Sequence, residues 1–156
     1  MTDLKYVIKW PAHAYRVDII VHDELGRVAF IIKFDSWNLL GQKTWIYDCN
    51  GRFLGMMKKQ KMHKRTVCRM FVGDSYIGKI KEAGIFSWPV LNRLDHQGWR
   101  IIADRSVKGR RVVLDQAGNL IMTITAVRRD RFWQPAFYID VAYPEHALIA
   151  MMITMV

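Results

Sequence analysis

Acidic side chains are scarce in this chain, and in one stretch they vanish. Between Cys49 and Gly73 there is no aspartate or glutamate, while seven Lys and Arg stand there. Over all 156 residues, 14 acids face 24 bases, a formal charge of +10. Such a chain repels cationic surfaces and suits an anionic partner, whether phospholipid, nucleic acid or an acidic protein. The same excess also serves solubility with no partner at all.

Long apolar runs are missing too. None reaches the roughly 18 residues from which a spanning helix is read. The opening M-T-D-L-K-Y-V-I-K-W holds no run of signal-peptide length, so a cytosolic, at most peripherally membrane-bound chain is expected. The chain has 2 cysteines, too few for a disulfide scaffold. With no mark of secretion, Cys49 and Cys68 are expected as buried free thiols. No Pro- or Gly-rich linker interrupts the pattern, so one domain over residues 1–156 is expected.

Catalytic constellations are equally absent. Ser36, Ser75, Ser87 and Ser106 sit in no G-x-S-x-G elbow, and neither phosphate-binding glycine motif occurs. The glutamates are only Glu24, Glu82 and Glu145, and the aspartates read as turn residues, which leaves no evident acid/base pair. His13, His22, His63, His96 and His146 are scattered, each expected at a surface or turn position, and neither cysteine has a ligand at zinc spacing. A non-enzymatic protein without cofactor or metal is expected.

What is present is a repeated hairpin. Asp23-Glu24-Leu25-Gly26-Arg27, Asp48-Cys49-Asn50-Gly51-Arg52 and Asp115-Gln116-Ala117-Gly118-Asn119 each precede an apolar strand, and Gly73-Asp74-Ser75 is a shorter relative. Aspartate bonds the turn backbone and glycine takes positive φ. Alternation supports the flanking strands. Tyr15, Val17, Ile19 and Val21 share a face, as do Trp99, Ile101 and Ala103, and likewise Leu120, Met122, Ile124 and Ala126. Phe137 to Ala142 reads as the last strand. The final ten residues, A-L-I-A-M-M-I-T-M-V, follow a Tyr143-Pro144-Glu145 helix start and are apolar on every side. Such a helix must be buried all round, and at about 15–18 Å it is too short to span a bilayer. So many strands in a flat sheet would leave exposed edges. Closure into a barrel removes the edges, and a barrel of more than about eight strands has an interior too wide for its own side chains to fill, so the helix is expected to plug it.

Four features together resemble the LURP-one-related proteins, relatives of the tubby C-terminal domain and of phospholipid scramblases. They are Y-V-I-K at Tyr6 to Lys9, the D-x-x-G hairpins, K-T-W-I-Y-D at Lys43 to Asp48, and a strand leading into an all-apolar C-terminal helix. The resemblance covers roughly Leu4 to Val156. It implies a closed antiparallel barrel of about a dozen strands around a central hydrophobic helix. It also implies a membrane connection, because tubby-like members bind phosphoinositide headgroups. No headgroup ligand carries over by motif, and the D-x-[DN]-x-[DN]-G calcium loop of some membrane-associated proteins is absent.

The acid-free stretch supplies the candidate site: Lys58, Lys59, Lys61, Lys64, Arg65 and Arg69, with Arg52 and His63 nearby. On two strands joined by a Met62-His63-Lys64 turn, Lys59 and Lys61 share a face, and Arg65 and Arg69 lie on the neighbouring strand's solvent face. Anionic lipid attracts such patches by roughly 1 kcal/mol per basic residue. Nucleic acid would be attracted by the same charges. A protein–protein adaptor with incidental charge, its lysines only discouraging edge pairing, is the other reading. Two further groups are Arg105, Lys108, Arg110 and Arg111 in a hairpin loop, and Arg128, Arg129 and Arg131 beside Phe132 and Trp133.

Overall fold

The computed structural model describes residues 4–9, 18–35, 41–62, 65–81, 93–129 and 134–155. Twelve strands follow one another: β1 (Leu4–Lys9), β2 (Ile19–Asp23), β3 (Val28–Phe34), β4 (Gln42–Asp48), β5 (Phe53–Met62), β6 (Arg65–Val72), β7 (Ser75–Lys81), β8 (Arg93–Asp95), β9 (Arg100–Ala103), β10 (Arg110–Leu114), β11 (Leu120–Arg129) and β12 (Gln134–Val141). A 3-10 turn (Pro144–His146) then leads into α1 (Ala147–Thr154).

The expected D-x-x-G turns fold as local chemistry dictates. Asp23 Oδ1 accepts the N–H groups of Leu25 and Arg27, and Asp48 Oδ1 those of Asn50 and Arg52. Asp115 Oδ1 accepts the N–H of Asn119 at 2.8 Å. Each loop needs one residue in the left-handed region, and Gly26, Gly51 and Gly118 fill it at φ 78°, 81° and 89°.

Every strand pair is antiparallel, and the sheet order is β8-β7-β6-β5-β4-β3-β2-β1-β12-β11-β10-β9. The first strand therefore pairs with the last, Leu4 opposite Val141 and Lys9 opposite Ala136. The two edge strands β8 and β9 adjoin each other without a ladder between them, so the barrel is nearly closed. Inward side chains come from almost every strand, among them Ile8, Val21, Ile32, Ile46, Met57, Met70, Ile80, Val113, Ile124 and Ile139. Burial of these apolar groups is the main stabilising force.

One short C-terminal helix accompanies the barrel, as expected. Six consecutive residues, Ile149 to Thr154, are buried, and the five steps of about 100° between them cover the whole circumference. The helix contacts β5 and β12, which are five places apart in the twelve-strand order. It approaches β5 closely at Gly55. A Cβ built there would lie 2.7 Å from Met152 Cε and 2.6 Å from the Phe71 carbonyl oxygen. Thr154, the one polar helix side chain, donates its hydroxyl to the Ala150 carbonyl at 2.7 Å. At the entry to the helix, Trp99 stands edge-to-face with His96 and His146, at 4.6 and 4.8 Å between ring centroids.

Two local expectations need correction. Leu120 is exposed and Ile121 is buried, because the β10–β11 register shifts beside Leu114 and turns Leu120 outward. Cys68 is buried but Cys49 is exposed, since Cys49 occupies a hairpin tip. His96 lies in a turn, as expected, and is buried there, its Nδ1–H donating to the Ile77 carbonyl at 2.7 Å. Tyr15 and Val17 lie outside the described residues.

Candidate anion-binding face

Strand parity decides which cations can meet a ligand. On β5, Gly55 and Met57 face the core, and Lys59 shares their side. Lys59 reaches the end of the helix, where its Nζ donates to the Met155 carbonyl oxygen at 2.7 Å. The last carbonyls of a helix carry partial negative charge and have no partner within the helix, so a lysine there both bonds and neutralises them. Lys59 is thus engaged on the core side rather than displayed with its neighbours. Cys68, opposite it on β6, is buried, and burial pushes its thiol up to about 11, with Lys59 opposing the shift.

The opposite parity faces outward. Lys58 stands across from Arg69, and the register continues on both sides: Lys43 opposite Lys58, and Arg69 opposite Lys79. Four cations thus line up across β4, β5, β6 and β7. With strands about 4.8 Å apart, the row spans about 14 Å. Each end meets a carboxylate. Asp35 Oδ1 accepts the backbone N–H of Lys43 at 2.6 Å, and Asp95 stands opposite Lys79. Among the described residues, no ion pair involves Lys43, Lys58, Arg69 or Lys79. Like charges directly opposite on neighbouring strands destabilise a sheet, so the row carries repulsion that an anion would relieve. Two local contacts orient it: Arg69 Nη1 donates to Gln60 Oε1 at 2.6 Å, and Lys58 Nζ sits 5.2 Å from the Phe71 ring centroid.

The expected cluster is therefore partly reassembled. Lys58 and Arg69 belong to the outer row. Lys61 is exposed near the end of β5, in register with Thr66, and Arg65 opens β6 opposite Met62. Lys64 lies outside the described residues. Lys43 and Lys79 join the row although they sit outside the acid-free stretch. Their signal in the sequence was parity: each holds a solvent position on a strand hairpinned to β5 or β6.

Beside the cations runs a second outward row, Trp45, Met56, Phe71 and Tyr76, in continuous register. Tyr47 and Phe53 extend it, their ring centroids 5.9 Å apart. Two bulges create this arrangement. Leu54 and Ile77 are the extra residues and pack toward the core, which turns Phe53 and Tyr76 outward.

Of the other basic groups, Arg105 and Lys108 are exposed between β9 and β10. Arg110 and Arg111 belong to strand β10 rather than to a loop, in register with Thr125 and Ile124. Arg110 Nε donates to Thr125 Oγ1 at 3.3 Å, and burial lowers the pKa of the Arg111 guanidinium. Arg131, Phe132 and Trp133 lie outside the described residues. A cleft of about 260 Å³ between β1 and the β2–β3 hairpin is lined by Lys5, Tyr6, Asp23, Glu24 and Arg27, and its Arg27–Asp23 pair closes at 2.9 Å. Among the described residues, no three metal-ligating side chains converge, and no helix is long and apolar enough to cross a membrane.

No protein-family model and no curated protein matches this chain. Its structure is similar to that of a protein from Arabidopsis thaliana solved by X-ray crystallography, with a TM-score of 0.62 and 16% identity over 98% of this chain and 88% of that one. Identity that low shows the fold alone. In this chain that fold is a nearly closed twelve-stranded antiparallel barrel with one short C-terminal helix.

Proposed function

We propose that this chain is a LURP-one-related, tubby-like barrel with its C-terminal helix as the central plug, and that it binds anionic phospholipid surfaces peripherally and without catalysis. The observation that carries the reading is the cross-strand row Lys43–Lys58–Arg69–Lys79, four cations with no ion-paired carboxylate among the described residues. At roughly 1 kcal/mol per basic residue near an anionic leaflet, the row contributes about 4 kcal/mol, close to a thousandfold in affinity. A cytoplasmic membrane surface is the location this implies.

Co-sedimentation with vesicles tests it. Protein should sediment with phosphatidylcholine vesicles containing about 30% phosphatidylserine and not with pure phosphatidylcholine. Binding should fade as salt rises from about 0.1 to about 1 M, where the Debye length shrinks from about 10 to about 3 Å. The double variant Lys58→Glu, Arg69→Glu should lose at least about thirtyfold in affinity. Absence of binding to anionic vesicles at low salt would sink the reading and point to a protein partner. Nuclease-removable absorbance at 260 nm in the purified protein would point to nucleic acid.

A further inference from the structure

We infer that the outer face of β4–β7 enters the bilayer boundary, with the Trp45–Met56–Phe71–Tyr76 row seated among the headgroups and upper acyl chains while the cations hold the phosphates. This rests on the anionic-lipid reading and adds an apolar, oriented component to it. The two rows lie side by side, two residues or about 6.7 Å apart along β4, β5 and β6, and three residues apart on β7, where Ile77 bulges. Tyr76 is 52% exposed and Phe53 is 41% exposed, on the face that carries the cations. A band of aromatics beside a band of bases matches the layering of an interface, where Trp and Tyr sit at headgroup level next to anionic phosphates.

The ring geometry favours lipid over nucleic acid. Base stacking needs open ring faces. Here Lys58 lies over Phe71 and Lys33 over Tyr47, at 5.2 and 5.6 Å from the centroids. Tyr76 meets Phe71 edge-to-face at 5.7 Å. Such rings offer edges and a compact apolar surface, which acyl chains accept and bases do not. The lysine stems along them place each ammonium at the border of the apolar band. The barrel then rests on its side, β4–β7 down and β11 away from the membrane.

A site-specific probe tests the orientation. In a Cys49→Ser background, Cys68 is buried and resists labelling, so one introduced cysteine carries an environment-sensitive fluorophore. Tyr76→Cys reports the proposed face. Val127→Cys, on the far side of the barrel, is the control. With phosphatidylcholine vesicles containing phosphatidylserine, the Tyr76→Cys probe should shift to the blue and be quenched by lipids spin-labelled high on the acyl chain, while the Val127→Cys probe stays unchanged. An unlabelled Tyr76→Ser variant should lose about tenfold in vesicle affinity that salt does not restore, from about 55 Å² of ring no longer buried. Silent probes on protein that sediments with the vesicles would overturn insertion and leave the electrostatic reading standing. Shifts at both positions would overturn the assigned face. Failure to sediment at low salt would overturn both proposals.

Discussion

Lys58 and Lys59 are neighbours in sequence with opposite consequences, and methionine substitution separates them. Methionine keeps much of the lysine stem and removes only the ammonium. Lys59→Met deletes the donor to the Met155 carbonyl at the part-buried end of the helix. A hydrogen bond to a charged group contributes about 1.5–3 kcal/mol net, and the interaction with the helix end is part of that sum. A loss of about 2 kcal/mol is expected. In a chain of 156 residues that lowers Tm by about 4–8 °C. Lys58→Met touches only the outer row, so its stability change should stay within about 0.5 kcal/mol, while vesicle affinity falls about fivefold. Thermal and urea melts paired with vesicle co-sedimentation read both quantities on both variants. A Lys59→Met protein as stable as the parent would refute the capping role. A Lys59→Met protein that loses vesicle binding as Lys58→Met does would refute the assignment of faces.

Gly55→Ala should cost about 1–3 kcal/mol in urea melts, since its methyl meets the Phe71 carbonyl and Met152; an unchanged midpoint would show that the helix is not held against β5 there. Met152→Asp places an unpaired charge where exposure is 0%, and it should yield a protein without a cooperative melt; a sharp transition near the parental one would contradict the burial. Asp104 and Asp115 have lowered pKa values, Asp104 through the hydroxyl and N–H of Ser106 and Asp115 through the amide and N–H of Asn119. A depressed folded-state value means stability present above the unfolded pKa of about 3.9 and lost as pH falls through the folded one. Urea midpoints should therefore hold from pH 7 to about 5 and drop below about 4, less so in Asp115→Asn; identical acid curves would count against these bonds. A thiol reagent at pH 8 should titrate Cys49 at once and Cys68 only on unfolding; two fast thiols would contradict the buried Cys68.

Turns and helix were legible because their causes are local. An aspartate that bonds two N–H groups and a glycine at positive φ need no distant partner. A helix apolar on every side announces burial wherever it lies. The cationic face was only half legible. In F-L-G-M-M-K-K-Q-K-M both parities carry methionine and lysine, so the sequence of β5 does not choose its core side. The helix chooses it, by pressing Met152 against Gly55 and offering its last carbonyl to Lys59. Lys43 and Lys79 were missed because the eye follows charge density along the chain, whereas the row runs across four strands. The aromatic row depends on bulges at Leu54 and Ile77, each of which reverses parity for what precedes it. Alternation assumes an unbroken register, and the same assumption misplaced Leu120.

The ladder between β1 and β12 sets a schedule for folding. Leu4 cannot meet Val141 until nearly the whole described chain is present, and the helix comes later still. The hairpins need only their own neighbours and can form within microseconds. Until the closing strand arrives, however, they present inward rows of isoleucine and methionine with nothing to cover them. The chain therefore stores its most aggregation-prone interval in the middle of folding rather than at its start. Refolding should show fast hairpin formation, then one slow cooperative step in which β12 docks against β1, with yield falling as protein concentration rises.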